Sequence, residues 1–171
     1  MSNLTIASLR RIDRDQLYGL LKTSSTMLTG SSPQVAVIDV RDSDHVGGHI
    51  RHSRHVPSST LDWATPELVR ALRDVPTVVF HCALSQQRGP SAALRYLRER
   101  ARLLGEEEGE GESVGVRADG SVGAEAEAGV EGGQKQQVCV LDGGFVQWQE
   151  KYGEDSTVTE GYVKDIWEFG Y

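Results

Sequence analysis

Val78-Val79-Phe80-His81-Cys82-Ala83-Leu84-Ser85-Gln86-Gln87-Arg88-Gly89-Pro90 reads as a strand, a loop and a helix start in immediate succession. Val78-Val79-Phe80 is a β-branched and aromatic run, the pattern of a buried strand. Gly89-Pro90 opens a helix, because proline presets φ and lacks an N–H that the first turn could not use. That helix should run to about Leu104, with Ala93, Leu94 and Leu97 on one side. Cys82 therefore falls just past the C-terminal end of a strand, where open α/β sheets bind ligands. A loop wrapped around a helix N-terminus aims successive backbone N–H groups inward, and with the positive end of the helix dipole they form an anion site. The same field favours the thiolate of Cys82. Arg88 adds a permanent charge and a planar fork that grips two oxygens side by side. These features make Cys82 the expected nucleophile and Arg88 the expected oxyanion grip. Ala83, Leu84, Ser85, Gln86 and Gln87 supply the expected oxyanion-binding loop.

Outward from this stretch, strand and helix patterns alternate. Asp13 followed by Gln16 caps a helix whose apolar face carries Leu17, Leu20 and Leu21. Val35–Ile38 is a short buried strand ending at Asp39, and Arg54–Val56 a further short strand stopped by Pro57. Thr65-Pro66-Glu67 has the form of a helix start, continued by Leu68, Val69 and Leu72. Val138-Cys139-Val140-Leu141 is the last buried strand, and Gly143-Gly144 turns into a final helix through Trp148. Apolar strands alternating with helices predict an α/β sandwich with a mainly parallel sheet.

The composition agrees with a single domain. The chain has 171 residues, 38% hydrophobic and 25% charged. Residues 105–137 hold eight Glu and one Asp against Arg117 and Lys135, so this segment alone accounts for the net charge of −7. It is rich in Gly, Glu, Ala and Ser, and its four scattered valines cannot offset the entropy of ordering it. The expectation is a disordered acidic insertion, 105–137, within one domain spanning 1–171. No apolar run approaches the ~20 residues of a membrane span. The start Met1-Ser2-Asn3-Leu4-Thr5 lacks a signal-peptide pattern. Two cysteines, Cys82 and Cys139, form no disulfide framework and suit a reducing compartment. The expected location is the cytoplasm, with the nucleus as a further place.

Several motifs together resemble a known family. His81-Cys82 through Arg88-Gly89-Pro90 is similar to the active-site loop of the M-phase inducer phosphatases and their small fungal and plant relatives, which include arsenate reductases. These share the rhodanese fold. Val37-Ile38-Asp39-Val40-Arg41, Gly48-His49-Ile50 followed by Val56-Pro57, and Leu141-Asp142-Gly143-Gly144-Phe145 with Trp148 resemble the other rhodanese motifs in order and spacing. The resemblance implies a rhodanese-like three-layer sandwich with helices flanking a mainly parallel central sheet. Sulfurtransferase rhodaneses typically have a cysteine loop one residue shorter, whereas five residues separate Cys82 from Arg88 here. Two departures stand out. Ala83 stands where many M-phase inducer phosphatases carry a Glu, and Val40 stands where they carry a second cysteine able to protect the nucleophile.

The function implied is a cysteine-dependent tyrosine or dual-specificity phosphatase working through a phosphocysteine. The alternative is an arsenate reductase using glutathione or glutaredoxin as co-substrate. A thiosulfate sulfurtransferase and a non-catalytic binding module are disfavoured by loop length and by the presence of both Cys82 and Arg88. The expected partners are a phosphorylated protein or a small oxyanion, with glutaredoxin in the reductase case, and neither nucleic acid nor membrane. No resident cofactor is expected. His81 and Asp39 are read as supporting residues, with Asp39 and Arg41 fixing the strand end. His45, His49, His52 and His55 invite a zinc reading, but no cysteine accompanies them and no metal site is expected. Arg51 and Arg54 nearby could add a positive rim. Arg95, Arg98, Arg100 and Arg102 spread around their helix, so they are expected at the surface rather than in a nucleic-acid patch.

Overall fold

The computed structural model describes residues 4–26, 32–105 and 135–169. A 3₁₀ turn over Ile6–Ser8 leads into β1 (Arg10–Ile12) and α1 (Arg14–Thr26). Asp13 closes α1 reciprocally: its carboxylate accepts the Gln16 N–H at 2.8 Å while its own N–H donates to Gln16 Oε1 at 2.9 Å. Leu17 is fully buried, whereas Leu20, about 60° round the helix, is exposed. The apolar face is thus narrower than the leucine spacing predicts. Next come β2 (Val35–Asp39), β3 (His49–Ile50), β4 (Arg54–His55) and α2 (Leu61–Ala71). Helix α2 begins at Leu61, before the expected cap at Thr65, because it continues a 3₁₀ turn over Ser58–Thr60. Thr65 instead lies inside the helix, with its buried hydroxyl donating to the Leu61 carbonyl at 2.6 Å. The remaining elements are β5 (Thr77–His81), α3 (Arg88–Leu104), β6 (Gln137–Leu141), α4 (Gly144–Tyr152), β7 (Thr159–Glu160) and α5 (Lys164–Phe169). Helix α4 is therefore not the last.

Five strands form one parallel sheet in the order β1-β6-β5-β2-β4, and β3 pairs antiparallel with β7 apart from it. Strand alternation sorts the core into two layers. Ile38, Val78, Phe80, Val138 and Val140 face Leu68, Val69, Ala93 and Tyr96 of α2 and α3. Val37, Val79, Cys139 and Leu141 face Leu17, Phe145 and Trp148 of α1 and α4. Helices thus cover both faces of an α/β three-layer sandwich.

Most of the acidic segment, residues 106–134, lies outside the described residues. Its expected borders need correction. Gly105 ends α3 in the left-handed conformation at φ +62°. Gln137 already opens β6, and Gln136 is buried, accepting from the Tyr96 hydroxyl at 2.8 Å and donating to the Leu72 and Val75 carbonyls at 2.7 Å each. These three bonds fix Gln136 one residue ahead of the strand. Among the described residues, no helix is long and apolar enough to cross a membrane.

Candidate active site

The central strand β5 delivers the site. His81 and Cys82 follow one another past Phe80, so alternation sends them to opposite faces. Cys82 is 3% exposed and continues the α2–α3 side, in line with Val78 and Phe80. His81 continues the opposite side, 6.4 Å from the Phe145 ring centroid.

Between Cys82 and Arg88 the chain folds back on itself. Ser85 adopts φ +54°, and its N–H points at Cys82 Sγ from 3.2 Å. Its hydroxyl lies 3.4 Å from the Cys82 N–H, and the residue is fully buried. The loop carbonyls are held from outside. The Cys82 and Ala83 carbonyls accept from the first amides of α4, Phe145 N–H and Val146 N–H, at 3.0 Å each. The Ser85 carbonyl accepts from Arg11 at 3.2 Å, and the Gln87 carbonyl from Ser91 N–H at 2.9 Å. Four loop carbonyls thus find their donors away from the thiol, while the Ser85 N–H is aimed at it. Close approach of both helices depends on glycine. A Cβ on Gly89 would come within 3.3 Å of the Cys82 nitrogen, and one on Gly144 within 2.4 Å of the Ala83 carbonyl oxygen. Leu84, Gln86 and Gln87 turn their side chains to solvent.

Arg88 begins α3 and is gripped by two carboxylates. Nη1 and Nη2 donate to the two oxygens of Asp44 at 2.8 and 2.6 Å, and Nη1 also reaches Asp42 at 3.2 Å. The Arg88 bonds hold the Asp44 carboxyl down at about 2, against a smaller opposing effect of burial. In return they push the guanidinium above its ordinary value. Asp42 is anchored further by the Ser58 hydroxyl at 2.5 Å and the Ser59 N–H at 3.1 Å.

Behind the loop lies a buried ion pair. Arg41 Nη2 meets Asp39 at 2.7 Å, and Nε lies 3.0 Å from both carboxylate oxygens, with neither side chain exposed. Arg41 also donates to the Gly48 carbonyl at 2.8 Å and stacks on Phe145, 4.3 Å from its centroid. Burial works to raise the Asp39 pKa, but the charge of His81, followed by the hydrogen bonds and charge of Arg41, takes it down to about 2. His81 Nδ1 lies 3.1 Å from the Cys82 carbonyl, and Nε2, 3.8 Å from Asp39, has no hydrogen-bond partner among the described residues. Burial pushes the His81 pKa down, against the opposing pull of the Asp39 carboxylate.

The structure brings Cys82, Ser85 and Arg88 together and sets His81 and Asp39 on the layer behind. Asp42, Asp44 and Arg11 escaped the sequence reading, although Asp42 and Asp44 sit within a few residues of Arg41, and Gly144 was read there only as a turn and motif residue. Three of the four histidines meet other partners, while His52 is exposed: His45 stacks on His55 with centroids 3.8 Å apart, and His49 meets Glu160 at 3.1 Å. Among the described residues, no group of three or more His, Cys, Asp or Glu is placed to hold a metal ion. Arg51 leans toward Glu160 at 3.5 Å, and Arg54 stays exposed. Arg100 is not a surface residue: it is 8% exposed, with Nη1 3.4 Å from the Arg73 carbonyl. It reaches from α3 to the turn just after α2, a contact that the helical spread of the arginines could not reveal.

The sequence pattern of the rhodanese-like domain matches residues 23–151. The chain belongs to the rhodanese-like domain family. It is 32% identical to the CDC25-like phosphatase YCH1 of Saccharomyces cerevisiae, an alignment covering 98% of this chain and 99% of the yeast protein. It is 53% identical over 64 residues to arsenate reductase 2.1 of Oryza sativa, covering 37% of this chain and 40% of the rice protein. Among solved structures, a yeast protein tyrosine phosphatase of the rhodanese family superposes with a TM-score of 0.62 at 29% identity, covering 96% of this chain and 99% of the other. The rhodanese sandwich expected from the four sequence motifs is thus the fold this chain has.

Proposed function

We propose that the chain is a cysteine-dependent phosphatase of the tyrosine or dual-specificity type. The observation that carries this is the loop folded back over the thiol, with the Ser85 N–H 3.2 Å from Cys82 Sγ and Arg88 held by Asp44 at the loop's end. The likeness to the yeast phosphatases supports it. In this mechanism the Cys82 thiolate attacks phosphorus in line, an S–P bond forms and the ester P–O bond breaks. The leaving oxygen takes a proton from solvent, balanced by the proton that the attacking water gives up in the second step. Water then attacks the phosphocysteine, phosphate departs and the thiolate returns. Loop amides and Arg88 hold the equatorial oxygens through both steps, where charge accumulates. Water is the only co-reactant required. A phosphorylated protein is the proposed substrate, and a reducing cytoplasmic or nuclear setting keeps the thiol free.

The likeness to the rice enzyme favours arsenate reduction as a second reading. Cys82 would displace hydroxide from arsenate to form a Cys–S–As(V) adduct. An external thiol, glutathione or glutaredoxin, would then supply two electrons, releasing arsenite and leaving a mixed disulfide. Parallel assays of p-nitrophenyl phosphate, arsenate with glutathione and glutaredoxin, and thiosulfate separate the readings. Phosphate release is expected, lost in Cys82→Ser with the fold intact by circular dichroism. Turnover of thiosulfate alone, or full activity in Cys82→Ser, would overturn the proposal.

A further inference from the structure

An arginine that grips an oxyanion must present an edge of its guanidinium, and here one edge is already filled. Asp44 takes Nη1 and Nη2 together, and Asp42 takes Nη1 again. Among the described residues, Nε–H and the second Nη2–H carry no protein acceptor. They form the one remaining adjoining pair of donors, the fork that suits two oxygens of a tetrahedral anion.

The two carboxylates are anchored from the chain side. Asp44 Oδ1 accepts the Asp42 N–H at 2.9 Å, the Asp44 carbonyl accepts the Val46 N–H at 2.9 Å, and the Asp42 carbonyl accepts the His45 N–H at 3.1 Å. Asp42 is tied again to Ser58 and Ser59. The clamp is therefore a fixed turn, and Arg88 is the long side chain held by it.

We propose that Asp44, backed by Asp42, is a positioning residue that holds Arg88 by its Nη1/Nη2 edge and so presents the Nε/Nη2 edge to the oxyanion. This rests on the anion-binding reading of the loop and adds to it the residues that orient its arginine. The sign of the effect is diagnostic. Removing negative charge from the rim should by itself tighten anion binding, whereas loss of positioning weakens it.

The test follows alkylation of Cys82 by iodoacetamide, a neutral reagent, and the concentration of inorganic phosphate or arsenate needed to protect the thiol. Binding is thereby measured without turnover. Asp44→Asn is expected to need about tenfold more phosphate, since it loses the charge-assisted two-point hold. Asp42→Asn, which loses one bond, should need about threefold more, and it carries the test if Asp44→Asn does not fold. In an Arg88→Ala background, Asp44→Asn should cause no further loss. Unchanged or tighter protection in both single variants, or an equal loss without Arg88, would overturn the positioning role. Absence of protection by either anion in the unaltered protein would instead remove the anion-binding reading itself.

Discussion

At the scale of single residues, the site divides by strand parity. Cys82 and His81 are neighbours in sequence, yet one joins the α2–α3 layer and the other faces Phe145 across the sheet. The Asp39–Arg41 pair behind them is buried without exposure on either side. Such a pair is weak evidence for stability as a whole, but breaking it leaves a charge uncompensated. Asp39→Asn is expected to destabilise the protein by about 3–5 kcal/mol, measured by urea unfolding at neutral pH. The pH dependence has a definite sign. The Asp39 pKa lies at about 2 in the folded chain, below its ordinary 3.8. Its contribution is therefore present above about pH 4 and is lost as pH falls toward 2. Thermal melts between pH 6 and pH 2 should show that loss, with a shallower slope in Asp39→Asn. Arg88→Lys, which keeps charge without a planar fork, should lower phosphatase kcat by about a hundredfold or more, read with p-nitrophenyl phosphate.

Elements act on the site through their ends. The N-terminus of α3 meets the Cys82 backbone at Gly89, and that of α4 meets Cys82 and Ala83 at Gly144. Gly144 also sits at φ +59°, so a side chain is strained by conformation as well as by contact. Gly144→Ala should cost about 1–3 kcal/mol from the clash and lower activity too, because the α4 amides release the Cys82 and Ala83 carbonyls. A stable, fully active Gly144→Ala would show that these carbonyls need no anchoring. Register also decides the fate of the second thiol. Cys139 lies opposite Val79, three residues short of Cys82. Strand rise alone then separates the two cysteines by about 10 Å, and alternation points them to opposite layers. A disulfide needs Cα atoms within about 7 Å. Burial pushes the Cys139 thiol above its ordinary value. Oxidation with mild peroxide followed by mass spectrometry is expected to give no Cys82–Cys139 bridge, and Cys139→Ser should keep its activity.

For the molecule as a whole, five parallel strands with helices on both faces create one sheet edge where β2 and β5 end side by side, Asp39 beside His81. The turn after β2 brings Asp42 and Asp44 to Arg88 there. The acidic segment enters far from this edge in chain order, between α3 and β6. Replacing residues 106–134 by a Gly/Ser linker of about ten residues should leave melting temperature and activity nearly unchanged, since closure entropy changes slowly with loop length. Extending the deletion through Gln136 should cost about 1–3 kcal/mol, because the Leu72 and Val75 carbonyls lose their buried donor.

Much of this was legible along the chain because it is local. Apolar runs set β2, β5 and β6, the Asp13–Gln16 box set the start of α1, and the Cys82–Arg88 spacing set the loop, all through interactions within a few residues. The start of α2 was misplaced at Thr65 because a preceding 3₁₀ turn extends the helix backwards, and β1, β3 and β7 are too short to leave a pattern. Gln136 looked like part of a polar tract because its three bonds reach Tyr96, Leu72 and Val75, all remote in sequence. Arg88 could be singled out from spacing as the arginine proposed to hold the anion. Which carboxylates hold it, which helix amides turn the loop carbonyls outward and which layer each cysteine joins depended on segments brought together by the sheet. Only the tertiary structure decides such contacts, because their geometry is set by strand register and helix docking rather than by neighbours in sequence.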